Sequence, residues 1–489
     1  MITVMNIKPN SPTFIERPAA FKELQSHLDT VRKSGRGRLL AVRGRRQAGK
    51  STLVERFTQM SDVPSLFMTA AFGRSRAEHL QSLATAAHES LHPLPDVDVS
   101  FATPPESWQS VFTSIALAAN DGPLIIVLDE FPWLTRADRS LEGVLQAAWD
   151  RVLEKLPVLM ILISSDATMM QRLSTYDRPL FGRLREMIVN PLDLGEVAGA
   201  FPSWFAGETI DAYLTVGGYP RLVTDMAASG KNPAEYVRQS LDNPVSPLLM
   251  IGRLVLGAEF PEPVTAAEIL AAIGSNDSGH PRFSEISVDS DGADAQSRAT
   301  ATSRALKLLG GTKHLVEQEV PAWAETKSRL RRYRITDPYL RFWFRYVDDY
   351  SAIIERGRSD LAIDHFERDW SSWRGHSVEP LVRESLFRLG AKRPELKSIE
   401  RVLPWWTRDG QHEVDVVGVA RKATALLGTI KWRDSGGVTA RDMAELGAAA
   451  ALIPHSEKAR LAAVCRQGDL PDGADLLFTA HDIVDAWRQ

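Results

Sequence analysis

A single cysteine, Cys465, stands in a chain of 489 residues. Without a second thiol there is no disulfide framework and no zinc site built from several cysteines, a usage that fits a reducing cytosol. Long apolar runs are also missing. The longest, Leu124 to Leu128 and Val158 to Ile163, fall well short of the roughly 18 residues that span a bilayer, so no membrane partner is expected. The stretch Met1 to Phe14 has no charged segment followed by an apolar one. No signal peptide is read there, and the cytoplasm is the expected location. Neither sign of charge is in excess: 58 basic against 62 acidic residues leave a net charge of −4. That excludes a chain-wide polycation and leaves room for a local basic face. Internal repeats and coiled-coil heptads are absent.

What is present is the balance of a soluble globular protein, 44% hydrophobic and 25% charged, in a length that suggests about three domains, with room for four. The first third alternates amphipathic segments (Phe21 to Arg32, Ser51 to Gln59) with short apolar runs at Arg38 to Val42, Ser65 to Thr69, Leu124 to Leu128 and Val158 to Ile163. Continuous apolar runs separated by helices are the signature of a parallel sheet buried on both faces. Residues 192–255 read as mainly helical, and Ser287 to Gln296, rich in Ser, Asp and Gly, as a loop. From Thr265 to Asp337 the order is helix, loop, helix (Ala301 to Leu309), then strands at His314 to Glu319 and Leu330 to Ile335, a winged-helix pattern. The last stretch predicts a helix over Trp373 to Leu389, strands at Glu413 to Val419 and Ala423 to Trp432, and a helix near Ala480 to Trp487.

Gly44-Arg45-Arg46-Gln47-Ala48-Gly49-Lys50-Ser51 matches G-x-x-x-x-G-K-[ST] and lies between an apolar strand and a helical pattern, the context that motif requires. Its glycines let backbone N–H groups close on phosphate oxygens at a helix N-terminus, beside Thr52. Lys50 would reach the β- and γ-phosphates of ATP or ADP, and the Ser51 hydroxyl would hold Mg²⁺. Leu124 to Leu128 then delivers Asp129 and Glu130 at a strand tip, the edge where ligands bind in open parallel sheets. Asp129 is the candidate Mg²⁺ holder and Glu130 the candidate base for the attacking water, with a helix-capping Asp as the bland alternative. Val158 to Ile163 ends in Ser164-Ser165, either sensors of the γ-phosphate or a turn. Arg183 and Arg185 are candidate arginine fingers, in cis or in trans, or a surface charge pair.

With these residues in view the chain resembles archaeal-type P-loop ATPases of the AAA/STAND group. The resemblance rests on Phe14-Ile15-Glu16-Arg17, the GRRQAGKS loop, LDEFPWL (128–134), SSDATMM (164–170), PLFGR (179–183), GGYPR (217–221) and YRITDPYLRFWFRYV (333–347). It implies that Gly218-Tyr219-Pro220 carries the lid contact to nucleotide through Pro220; the residues alone show only a Gly-Pro turn. It also implies a terminal domain similar to restriction-endonuclease-like nucleases, which gather Mg²⁺ with a helix Glu, a strand Asp and an (Asp/Glu)-x-Lys. Glu379, Asp415 and Lys431 match three of those positions, but Thr429 stands where the second strand carboxylate belongs. The nuclease-like site is therefore read as degenerate. A one-residue register slip would bring Glu413 into play instead.

Lys327 to Arg334 holds five basic residues in eight, on the expected second wing strand. Lys327, Arg329, Arg331 and Arg332, with Arg304 and Lys307 on the preceding helix, are candidate contacts to the phosphates of duplex DNA. The alternatives are a solvated hairpin, or one paired with acids such as Glu317 and Glu319 across the strands. The aromatic cluster Tyr339, Phe342, Trp343, Phe344 and Tyr346 has helical spacing and reads as core.

The expected architecture is thus α/β: a parallel-sheet P-loop ATPase core (1–195), a helical lid (196–258), a winged helix-turn-helix domain (259–347) and a C-terminal α/β nuclease-like domain (348–489). The expected activity is an ATP-hydrolysing switch with Mg²⁺ as cofactor, coupled to DNA, to a protein partner or to self-association. An ATP-gated nuclease and a nucleotide-binding scaffold with negligible turnover are the alternatives.

Overall fold

The computed structural model describes residues 14–164, 173, 175–259, 264–277, 279–286, 295–325, 328 and 330–488. It divides into two compact units, Glu16–Pro191 and one built mainly of Leu192–Gln489. The loop expected at Ser287 to Gln296 lies almost wholly outside the described residues. Among the described residues no helix is long and apolar enough to cross a membrane.

The first unit is a five-stranded parallel sheet in the order β2-β3-β4-β1-β5, with β1 Arg38–Arg43, β2 Ser65–Thr69, β3 Leu124–Asp129, β4 Val158–Ser164 and β5 Leu184–Ile188. Alternate residues of each central strand feed opposite cores. Leu40, Val42, Ile125, Val127, Leu159 and Ile161 join helices Pro18–Ser34 and Lys50–Met60 on one face. Leu39, Ala41, Ile126, Leu128, Met160 and Leu162 join helices Arg76–His88, Trp108–Ala118 and Leu141–Arg151 on the other. Burial on both faces explains the unbroken apolar runs. The edge strand β5 escaped the sequence reading because its residues are largely exposed and charged (LREMI).

In the second unit five helices between Leu194 and Glu259 lead to helices Val264–Gly274 and Ala295–Lys307 and to an antiparallel pair, β6 Val316–Glu319 and β7 Arg332–Ile335. Both strands are shorter than the sequence predicts. Tyr339, Phe342, Trp343, Phe344 and Tyr346 are all buried on helix Pro338–Tyr346. The helix expected over Trp373 to Leu389 is two, Ser359–Ser377 and Glu379–Leu389. Pro380 lacks the N–H that would bond back to His376, so the ladder breaks there and Glu379 begins a new helix.

A second five-stranded sheet follows in the order β12-β11-β10-β9-β8. Its strands are β8 Arg401–Trp406, β9 Glu413–Ala420, β10 Ala423–Lys431, β11 Arg460–Cys465 and β12 Leu476–Phe478. β8, β9 and β10 form an antiparallel meander; helix Ala440–Ala450 then crosses to β11, which runs parallel to β10. β8, β11 and β12 have no counterpart in the sequence reading. β8 carries Pro404, which is tolerated because β8 is an edge strand with a register shift between Leu403 and Trp405.

Candidate nucleotide site and acidic pocket

β1 ends at the loop Gly44–Gly49, and helix Lys50–Met60 starts immediately after it. A side chain at Gly44 would put its Cβ 2.0 Å from the Val189 carbonyl oxygen, so only glycine fits there. Gly49 caps the helix in the left-handed region, φ 80°, which only glycine adopts freely. The N–H groups of Lys50, Ser51 and Thr52 precede the first rung of the helical ladder, Leu53 N–H to the Gly49 carbonyl at 3.0 Å, the position from which a helix start meets an anion. Lys50 is buried and its Nζ donates to the Gly44 and Arg45 carbonyls at 3.0 and 2.8 Å, which curls the ammonium over its own loop. Gln47 also has positive φ, and Arg46 and Thr52 are exposed. Ala48 is buried, and its carbonyl accepts from Arg17 Nη1 at 3.0 Å; the same guanidinium donates to the Asn190 carbonyl at 2.7 Å. Arg17 was legible only as part of a landmark, without a role.

The Asp129 carboxylate is buried at the tip of β3. Burial pushes its pKa up, opposed by hydrogen bonds from the Ser51 hydroxyl, the Glu130 N–H and the Thr69 hydroxyl. The last two are 2.9 and 3.3 Å long. Ser51 and Asp129, on different elements, are thus in direct contact. Thr69, at the tip of β2, is a member of this group that no spacing announced. Glu130 follows with φ 52°, a sharp left-handed step that opens helix Phe131–Ala137. Ser164 is fully buried at the tip of β4, in register with Arg43 of β1. Since β4 lies between β1 and β3, Ser164 sits between the phosphate-loop strand and the Asp129 strand. Ser165 lies outside the described residues.

Arg183 forks onto Asp150 at 2.6 and 2.7 Å, and that hydrogen bonding raises the guanidinium's pKa. Arg185 is exposed on β5 opposite Leu40, four positions before Gly44, and it acts on His27 of the first helix. At about 3.3 Å per residue that is about 13 Å back from the loop along the sheet. In the second unit, Pro220 opens helix Pro220–Ser229, and Tyr219 before it is fully buried.

The nuclease-like residues converge in part. β9 and β10 pair with Val416 opposite Gly428, which sets Thr429 against Asp415. Thr429 Oγ1 and the Ile430 N–H donate to Asp415 Oδ2 at 3.3 and 2.7 Å. Burial, then the Glu379 charge, push Asp415 up to about 6. Glu379 and Asp415 line a cavity of about 210 Å³ together with His376, Arg383, Glu319 and Trp405. Against burial, a hydrogen bond from His376 and the Arg383 charge hold Glu379 below its usual range. Lys431 faces Asp442 at 3.5 Å while its charge still acts to lower Asp415, and Glu413 lines the same cavity, paired with Arg332. Among the described residues no group of three or more His, Cys, Asp or Glu side chains is placed to hold a metal ion.

Of the basic residues, Arg304 and Lys307 are exposed on helix Ala295–Lys307. Lys327 and Arg329 lie outside the described residues. Arg331 Nε donates to the Ser328 carbonyl at 2.9 Å. Arg332 pairs with Glu413 and stacks 4.3 Å over the Trp406 ring, while Arg334 pairs with Glu317 and Glu319. Much of the expected basic stripe on β7 is therefore spent on acids of the same unit.

Residues 13–161 match the AAA ATPase domain family. That match covers most of the first unit, whose five-stranded parallel sheet fits a P-loop ATPase core. Residues 343–445 match a family described as archaea bacterial proteins of unknown function. Over its length the chain is similar to an uncharacterized protein of Methanocaldococcus jannaschii, 23% identical over 425 residues, 86% of this chain and 88% of that one. Among solved structures it is similar to a Walker-type ATPase of Pyrococcus abyssi (19% identity, 68% of this chain and 96% of that one, TM-score 0.45). It is also similar to the ORC2 protein of Aeropyrum pernix in its ADPNP-ADP complexes (13% identity, 72% and 94%, TM-score 0.45).

Proposed function

We propose that the chain is an ATP-hydrolysing molecular switch of the AAA/STAND type, whose nucleotide state biases how its second unit holds DNA or a partner. The observation that carries this reading is the contact between Ser51, one residue past Lys50, and Asp129 at the tip of β3. It joins a phosphate-binding helix start to a carboxylate, with a second carboxylate, Glu130, next in sequence. The donor set suits a nucleotide with Mg²⁺: loop N–H groups and Lys50 for the phosphates, Ser51 and Asp129 oxygens for the metal. The nucleotide and its Mg²⁺ supply an activated phosphoanhydride with part of its charge neutralised. Lys50 exchanges its loop carbonyls for phosphate oxygens, and Glu130 orients the attacking water and takes its proton. Ser164, with Ser165 next in sequence, is assigned to report the γ-phosphate, a role that its burial between the two site strands supports, and Pro220 is assigned the lid contact on the resemblance. With Arg183 held by Asp150 and Arg185 far down β5, an arginine finger from this pair acts in trans or not at all.

In the second unit we assign a helical lid, a winged helix and a degenerate nuclease-like core, with boundaries near 196, 259 and 348. The helix pair with the β6–β7 hairpin supports the second assignment. The order helix, antiparallel meander, helix, parallel strand around β8 to β11 supports the third. DNA contact is assigned to Arg304 and Lys307, exposed on helix Ala295–Lys307, with Lys327, Arg329 and Arg331 of the basic run as further candidates.

Steady-state ATP turnover of wild type and Glu130→Gln, each with and without duplex DNA, tests the reading. Turnover lost in the variant and raised by DNA is the expected result. Turnover at background in both proteins, under either condition, overturns the catalytic claim and leaves nucleotide as a structural ligand.

A further inference from the structure

The Glu379–Asp415 pocket raises the question of what balances its charge. This argument rests on the nuclease-like reading of the second unit, which implies a divalent cation there, and the residues present do not fit one. Asp415 Oδ2 already accepts from Ile430 N–H and from Thr429, a hydroxyl donor at the position where a further carboxylate would be needed. Glu379 Oε2 faces Arg383 Nη1 at 3.4 Å, and the same nitrogen donates to the Asp415 carbonyl at 3.2 Å. Arg383 Nη2 donates to Glu319 Oε1 at 2.8 Å. One guanidinium, 5% exposed, thus reaches both Glu379 and the strand that carries Asp415, and is anchored from β6 by a third acid.

We infer that Arg383 is the resident cation of this pocket: it occupies the place where these carboxylates would gather a metal, so the pocket binds neither Mg²⁺ nor Mn²⁺ and the unit does not cut phosphodiesters. Three features make the guanidinium a fixed occupant. It cannot be deprotonated in a protein, so it does not leave by titration. Its planar fork meets two carboxylates at once, which a lysine's single ammonium would not reproduce. Glu319, which holds it, is itself locked by His280 at 2.7 Å and Arg334 at 3.1 Å, so the anchor stays in place and a swing outward would cost the buried guanidinium its 2.8 Å partner. Lys431, the residue matched to phosphate polarisation, is turned to Asp442.

The test is Mn²⁺ binding to the nucleotide-free full chain, followed by electron paramagnetic resonance. It compares wild type, Asp415→Asn, Thr429→Glu and the double variant Arg383→Gln/Thr429→Glu. Wild type and Asp415→Asn are expected to bind Mn²⁺ equally, so that no bound equivalent depends on this pocket. The double variant is expected to gain one equivalent, lost again when Asp415→Asn is added. An Asp415-dependent equivalent in wild type overturns the inference while leaving the nuclease-like reading intact. A folded double variant that gains nothing overturns it from the other side, and with it the nuclease-like reading. Should removing Arg383 unfold the chain, Thr429→Glu decides alone: no gain with Arg383 in place supports the inference, and a gain overturns it.

Discussion

Tyr219 donates its hydroxyl to Asp337 Oδ2 at 2.7 Å, joining GGYPR to YRITDPYL across 118 residues. Tyr219 is fully buried and Asp337 5% exposed, and Asp337 Oδ1 also caps helix Pro338–Tyr346 by accepting from the Leu340 N–H. Tyr339 of that helix meets the Tyr219 ring edge-on at 5.2 Å and donates to the Leu248 carbonyl at 2.8 Å. The segment expected to contact nucleotide is therefore bonded to the helix that follows the β6–β7 hairpin. Whatever moves Pro220 must carry that helix along or break this bond.

Tyr219→Phe leaves a buried carboxylate short of one partner. A hydrogen bond to a charged group contributes about 1.5–3 kcal/mol, so the second unit is expected to lose about 2 kcal/mol. Chemical unfolding of wild type and variant, followed through that unit's own transition, measures it. Indistinguishable midpoints would mean that the bond contributes nothing net.

Glu319 makes a prediction about pH. Burial would raise its pKa, but Arg383, His280 and Arg334 hold it well below the usual glutamate value of 4.5. A carboxylate whose pKa is lowered on folding contributes stability that is present above its unfolded value and lost as pH falls through its folded value. Breaking a buried ion network by removing one member costs about 3–5 kcal/mol. Glu319→Gln is expected to be destabilised by about that much at pH 7, with the gap to wild type narrowing below pH 4.5. Stability curves from pH 7 to 3 for both proteins test this, and a gap constant across that range would count against it.

The phosphate loop and the Asp129 tip were legible because each departs abruptly from its surroundings. Glycines stand where the backbone must turn, and acids follow an apolar run that ends at β3's last turn inward. What stayed hidden is order and partnership. Nothing in a run of apolar residues says that β4 inserts between β1 and β3, yet that insertion is what brings Ser164 between the two site strands. Edge strand β5 has charges within its run (LREMI) and β8 carries a proline in mid-strand (RVLPWW), so they passed unread. The acidic pocket was half visible: Glu379, Asp415 and Thr429 could be matched one by one. Arg383 and Glu319, 64 residues apart, meet only because the chain folds, and they decide what the pocket can hold. In the basic run 327–334 the sequence did not show that Arg332 and Arg334 have acids waiting on β9 and across the hairpin.

Arg17 is expected to act on nucleotide through the loop it holds. Its guanidinium fixes the Ala48 carbonyl and ties it to the end of the first unit at Asn190. Arg17→Ala frees that segment, and the loop must then be ordered by the nucleotide itself. A loss of about tenfold in ADP affinity corresponds to about 1.4 kcal/mol, well within two charge-assisted hydrogen bonds. Titration of a fluorescent ADP analogue into wild type, Arg17→Ala and Lys50→Ala separates the cases. Lys50→Ala sets the level of a lost site, and wild-type affinity in Arg17→Ala would show that the loop holds its shape unaided.

DNA binding, if it runs through helix Ala295–Lys307, has a distinctive salt signature. Arg304 and Lys307 are exposed there, while Arg332 is held between Glu413 and Trp406 and Arg334 between Glu317 and Glu319. Each phosphate contact releases condensed counter-ions and adds about 0.9 to the slope of log affinity against log salt for duplex DNA. Arg304→Gln/Lys307→Gln should therefore weaken duplex binding and lower that slope by about 2, evenly across DNA sequences, because phosphate contacts read no bases. Arg332→Gln should leave the slope unchanged and instead loosen the fold by freeing Glu413. Fluorescence anisotropy with a labelled duplex at several salt concentrations distinguishes the two. A slope that drops for Arg332→Gln and holds for the helix pair would move the contact to the hairpin, and would require the Arg332–Glu413 pair to open when DNA arrives.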